Sequence, residues 1–130
     1  MHLFTSGLWL TLPVAIALTL IGAAGCQQRG GRYLSLDQTL AESSLKTFLD
    51  TWKSGQTLQA LDQLEPKIVG VDDTWKAGGR LTDYRVVQSR SDGANLHVTV
   101  ELNVVRGKGP QQMHTVYIVG TSPLITIFPQ

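Results

Sequence analysis

A single cysteine in 130 residues rules out an intrachain disulfide, so the fold must close on burial alone. Charge of one sign is missing too: 11 Lys and Arg against 10 Asp and Glu leave a net charge of +1. The chain therefore lacks the basic stripe that a nucleic-acid backbone requires, and no nucleic-acid partner is expected. Most telling is a local absence. Met1 to Cys26 contains no Lys, Arg, Asp or Glu, so every charged residue lies after the cysteine. Within it, Leu8 to Ala24 is apolar apart from Thr11, Thr19, Pro13 and Gly22. A core helix in so small a domain needs a polar face toward water. An all-round apolar run fits lipid or a translocon instead, and this one has the length of a signal peptide's apolar region.

The residues that end the run give it a meaning. Ile21, Gly22, Ala23, Ala24 and Gly25 lead in small residues to Cys26. This resembles the lipobox of bacterial lipoproteins. The resemblance implies thioether attachment of a diacylglycerol to Cys26 and cleavage between Gly25 and Cys26. Each buried methylene contributes about 0.8 kcal/mol and one acyl chain binds reversibly, so the two or more chains on such a cysteine are what stable anchoring takes. Two features depart from the family's pattern: Ala23 stands where leucine is usual, and the basic residues Arg29 and Arg32 come after the apolar run instead of before it. An uncleaved helical anchor is the alternative. The expected organisation is a signal peptide over 1–25, the lipidated cysteine and a glycine-containing tether over 26–32, and one domain over 33–130. Its length suffices for one core and not for two.

Past the tether, Leu36, Leu40, Ala41, Leu45, Phe48, Leu49 and Trp52 recur at helical spacing, with Ser35 and Gln38 as a capping box and Gly55 as a left-handed C-terminal cap. Leu58, Leu61 and Leu64 predict a shorter helix closed by Pro66. The period then becomes alternating. Ile68 to Val71, Leu81 to Gln88, Asn95 to Val105, Gln112 to Val119 and Leu124 to Phe128 read as strands, with Asp72 to Gly79 as a turn-rich connection. Leu96, Val98, Val100, Leu102 and Val104 share one face of the longest strand. The expected class is α+β: one long and one short helix packed on a curved antiparallel sheet of four to five strands.

This order resembles the nuclear transport factor 2-like, or cystatin-like, fold, with Phe48, Leu49, Trp52, Lys53 and Gly55 closing the first helix and Trp75, Gly78 and Gly79 preceding a strand that carries Tyr84. The resemblance implies a conical pocket and a sheet face often used for homodimers. It leaves activity open, because this fold hosts isomerases, dehydratases, cyclases and proteins without catalysis. In such a pocket Asp73, Tyr84 and His114 are the candidates for base, hydroxyl donor and proton shuttle. Each also has a plainer reading as a turn cap, a core-edge residue and a half-exposed strand residue.

No cofactor or metal is expected. His97 and His114 fall roughly 16 Å apart if five residues separate them along neighbouring strands, and Gly107, Lys108 and Gly109 lack the spacing of a phosphate loop. Pairing Val104 near Gln112 turns Met113, Tyr117 and Val119, with Val105, to the outward face as a candidate interface.

The sequence thus reads as a lipid-anchored protein of the cell membrane or outer membrane, with its domain on the exported side. Its expected work is binding, to itself, to an envelope protein or to an apolar ligand. A small isomerase- or lyase-type enzyme is the rival reading. Metabolic labelling with a fatty acid tests the anchor: the parent chain takes up label and Cys26→Ser does not, whereas an unlabelled parent chain means an uncleaved helix.

Overall fold

The computed structural model describes residues 35–130. The expected signal peptide, Cys26, the tether and Tyr33 lie outside the described residues. Helix α1 spans Gln38–Lys53, a 3-10 helix comes next at Leu58–Gln63, and then β1 (Ile68–Gly70), helix α2 (Asp73–Lys76), β2 (Arg80–Ser91), β3 (Leu96–Arg106), β4 (Gly109–Gly120) and β5 (Ile125–Pro129). The class is α+β. Among the described residues no helix is long and apolar enough to cross a membrane.

α1 starts two residues later than the Ser35 box predicts. Asp37 is the N-cap, its carboxylate accepting from Leu40 N at 3.0 Å, while its own N–H donates to Thr121 Oγ1 at 3.0 Å. A carboxylate at this position satisfies an otherwise unpaired first-turn donor. At the other end Ser54 N donates to Asp50 O, and Gly55, at φ 85°, takes the left-handed conformation that the helix exit requires. The face formed by Ala41, Leu45, Phe48, Leu49 and Trp52 is buried.

The five strands make one sheet in the order β1-β5-β4-β3-β2. β2 to β5 form an antiparallel meander, but β1 pairs in parallel with β5, Ile68 opposite Ile125 and Gly70 opposite Ile127. The sheet is therefore mixed, and the expectation of a wholly antiparallel sheet is corrected. The chain crosses from β1 to the far edge through α2, a helix within the stretch read as turns. Gly70 is small for a reason: a Cβ there would sit 2.6 Å from Phe48 Cε2, so glycine lets α1 lie directly on β1.

β3 alternates between a buried face, Leu96, Val98, Val100, Leu102 and Val104, and a half-buried one. Its partner β4 carries Met113, Tyr117 and Val119 opposite Leu102, Val98 and Leu96, on the inner face that α1 covers. Tyr117 and Val119 are wholly buried. The outward interface expected at Met113, Tyr117 and Val119 is thus corrected: Val104 pairs with Gln111 rather than Gln112, and a one-residue slip exchanges the two faces of a strand. The apolar residues that β4 turns outward are Val116 and Ile118, both half-buried.

β2 is bulged twice, between Leu81 and Asp83 and between Val86 and Gln88, and such extra residues bend and twist a strand. The sheet curls there, and only Leu81 of β2 is buried.

The packing sets a simple expectation. Leu49→Ala removes a fully buried side chain from the helix–sheet contact and costs about 2–5 kcal/mol. Val100→Ala clearly lowers the thermal midpoint, whereas Thr99→Ala, on the opposite face, changes stability by less than about 0.5 kcal/mol. Thermal melts followed by circular dichroism measure all three, and equal losses at Val100 and Thr99 are incompatible with this packing.

Candidate functional site

The sheet's inner face is covered unevenly. α1 meets β2 near the strand's start, around Asp83 and Tyr84, and an opening lies between the first half of the helix and the stretch from Tyr84 to Ser89. The opening is a groove of about 470 Å³, with Leu45, Leu49 and Val98 in its floor, Tyr84 and Val86 on the strand side, and Glu42, Lys46 and Ser89 at the rim. Its size falls within the range of ordinary ligand pockets, and an apolar floor with a few polar rim groups is their usual make-up.

One polar link spans the groove wall. Tyr84 Oη donates to Asp50 Oδ1 at 2.7 Å, and Lys46 Nζ lies 2.6 Å from Asp50 Oδ2. Lys53 Nζ stands 3.5 Å from Asp83 on the same side. Partial burial, followed by the hydrogen bond to the Asp50 carboxylate, pushes the Tyr84 hydroxyl up to about 12. Asp50 is held below its ordinary value by hydrogen bonds from Lys46 and from Tyr84. Tyr84 therefore works as a neutral donor that ties β2 to α1.

A second opening, of about 420 Å³, lies between the end of α1 and α2 and is lined by Trp52, Trp75, Gln56, Lys76 and Arg80 among others. Here the aromatic rings are already engaged. Trp52 and Trp75 stack at 5.5 Å, Trp52 Nε1 donates to Gly79 O at 2.8 Å, and Trp75 Nε1 donates to Gln56 O at 3.0 Å. With both indole donors used, this cleft offers ring faces beside the exposed side chains of Gln56, Lys76 and Arg80, and the groove beside β2 is the better candidate for an apolar ligand.

The three catalytic candidates do not converge. Asp73 is exposed on α2. Tyr84 faces inward opposite Leu102 and is spent on Asp50. His114 is exposed on the outward face, 3.5 Å from Glu101, whose carboxylate also takes Arg85 at 2.8 Å and Gln112 at 2.7 Å. Tyr84 and His114 thus lie on opposite sides of the sheet. The Arg85 hydrogen bond, chief among several, holds Glu101 below its ordinary value.

The buried acid lies one residue away from the candidate that the sequence suggests. Asp72 Oδ1 accepts from Trp75 N at 2.9 Å as the N-cap of α2, and Asp72 Oδ2 accepts from Tyr117 Oη at 2.6 Å. Burial first, and the neighbouring carboxylate second, raise the Tyr117 hydroxyl far above the ordinary tyrosine range. This pair lines neither opening, so its role is to hold α2 on β4. No sequence signal pairs two residues 45 positions apart.

Among the described residues no three His, Cys, Asp or Glu side chains group as a metal site. His97 Nε2 is 2.8 Å from Asp92 Oδ2 at the β2–β3 turn, and His114 pairs with Glu101, four residues along β3 from His97. No family model matches the chain, and neither a curated protein nor a solved structure matches it.

The Tyr84 link has a spectroscopic consequence. A group whose folded value is raised stabilises the fold fully below its unfolded value, here 10.0, and that contribution is lost as pH rises toward about 12. Absorbance titration of the phenolate should show one step near pH 12 that disappears in Tyr84→Phe. A parent chain in which every accessible tyrosine ionises near 10 contradicts the link.

Proposed function

We propose that the chain is an exported protein held at the cell membrane or outer membrane by acylated Cys26, and that its domain is of nuclear transport factor 2-like type and works as a binding module. The groove between α1 and β2 takes an apolar ligand, a slender chain or ring system that lies against Leu45, Leu49, Val86 and Val98. The anchor reading rests on the charge-free run ending in small residues before Cys26. The fold-type reading rests on the element order, in which a long helix, a short helical turn and a short strand precede a curled antiparallel meander.

One observation carries the binding reading: an open groove whose floor is core side chain. Leu45, Leu49 and Val98 form a floor that is itself almost fully buried, and the apolar surface a ligand would cover is that of Val86, 52% exposed, and of half-buried Tyr84. Apolar surface left uncovered at such a place gains about 25 cal/mol per Å² when a ligand excludes water from it. The rival isomerase or lyase reading would draw on Asp73, Tyr84 and His114, and their separation leaves it without a working set.

Glu42 at the groove rim is the useful test position, because it is exposed and its replacement disturbs no core packing. The chain should bind a fluorescent polyene fatty acid saturably, and Glu42→Trp, whose ring overhangs the groove, should weaken that binding at least about tenfold, equivalent to 1.4 kcal/mol. Binding that fails to saturate, or equal affinity in the two proteins, rejects the groove as the site.

A further inference from the structure

β2 is the terminal strand of the sheet, and among the described residues nothing pairs with its outer edge. It is 12 residues long and carries Val86 and Val87 at 52% and 47% exposure. Long edges with exposed valines are templates for another strand unless something blunts them. The usual blunting device, a bulge, is present, but its position has a second effect.

In an unbulged strand Asp83 and Arg90, seven positions apart, would point to opposite faces. Val87 is the extra residue between Val86, paired with Val100, and Gln88, paired with Thr99. It restores the phase, so that Asp83, Arg85, Gln88 and Arg90 all pair with outward residues of β3, and Tyr84 and Ser89 both pair with inward ones. Placed antiparallel to a second β2 about a two-fold axis between Val86 and Val87, the strand matches itself over Asp83 to Arg90. Asp83 then lies opposite Arg90 of the second copy, Arg85 opposite Gln88, and Tyr84 opposite Ser89, each pair on one face as an antiparallel ladder demands. The valines cover each other at the axis. Arg90 has no acidic partner among the described residues, and the Asp83 carboxylate accepts from the adjacent Tyr84 N at 2.9 Å and has a single basic neighbour, Lys53, at 3.5 Å.

We infer that the β2 edge is a homodimer interface, in which two copies join their sheets edge to edge through a two-fold, antiparallel β2–β2 pairing with reciprocal Asp83–Arg90 contacts. The occupant is a second copy because the strand, read backwards, sets Asp83 against Arg90 and places no like charges opposite one another, Arg85 falling on neutral Gln88, and an isologous contact needs that self-match. A strand from an unrelated protein would need the same charge order only by coincidence. The inference stands apart from the ligand reading but touches it, since Tyr84 and Ser89 line the groove and would meet their counterparts across the axis.

Charge exchange tests it. Sedimentation equilibrium of the full chain in a neutral detergent should show a concentration-dependent dimer. Asp83→Arg and Arg90→Asp each set like charges opposite one another twice per dimer and should weaken association about tenfold. The double variant, with the two charges exchanged, should regain the parent affinity to within a few-fold. Both positions are exposed, so unchanged thermal midpoints certify the fold of each variant. A parent chain that stays monomeric, association that neither reversal moves, or a double variant as weak as the singles overturns the inference.

Discussion

The carboxylate of Asp72 is the point on which the two halves of the domain meet. It caps α2 through Trp75 N and receives the Tyr117 hydroxyl from the middle of the sheet. Buried hydrogen bonds to charged groups contribute about 1.5–3 kcal/mol, and loss of one partner leaves the other unpaired in a water-free place. The consequence reaches further than the pair. Fixing Trp75 sets its ring against Phe48 at 5.3 Å and against Trp52 at 5.5 Å, and Phe48 in turn meets Tyr117 at 5.7 Å. Four aromatic side chains from α1, α2 and β4 close around one another. The four-residue α2, too short to persist alone, is held in the crossover from β1 to the opposite edge of the sheet.

The same cluster brings the end of α1 to the start of β2, where Trp52 Nε1 donates to Gly79 O, and the groove lies where helix and strand diverge beyond that point. The sheet's right-handed twist and the two bulges carry β2 further away. Leu81 and Tyr84 pack against the core at the near end of the gap, and the polar ties Tyr84 to Asp50 and Lys53 to Asp83 close it. An exposed ion pair such as the second adds little stability. The groove is therefore the place where helix and strand part, and its floor is apolar because the same residues finish the core.

Much of the fold is legible in the residues. The alternation of β3 gives its buried face directly, since Val98, Val100 and Leu102 have polar neighbours on both sides. The helical repeat from Leu40 to Trp52 places α1, and Gly55 marks its end. β4 is not legible in the same way. Met113, Tyr117 and Val119 alternate with Val116 and Ile118, so both faces carry apolar side chains and the pattern does not choose between them. Only the hairpin decides, and the pairing of Arg106 with Gly109 leaves Gly107 and Lys108 as a two-residue connection, tighter than a Val104–Gln112 pairing requires. The parallel β1–β5 pairing and the Asp72–Tyr117 bond join positions far apart in the chain, for which local periodicity holds no information. Asp72 and Asp73 fit a turn equally well in sequence, and only the cap geometry distinguishes them.

The bulge at Val87 links the groove to the edge. Without the extra residue, β2 would keep Asp83 and Arg90 on opposite faces, and self-pairing about that axis would set a groove-facing side chain against an outward one. With it, one strand both widens the groove and becomes complementary to itself. The proposed anchor at Cys26 would bear on this pairing. A domain tethered to a membrane meets its neighbours at an effective concentration set by the tether and the plane, which converts a weak contact into a populated one. An eight-residue strand pairing with two reciprocal charge contacts is small beside the interfaces of permanent dimers. Under the proposed anchorage it need not be large, and its modest size would let paired and single domains exchange as their surface density changes.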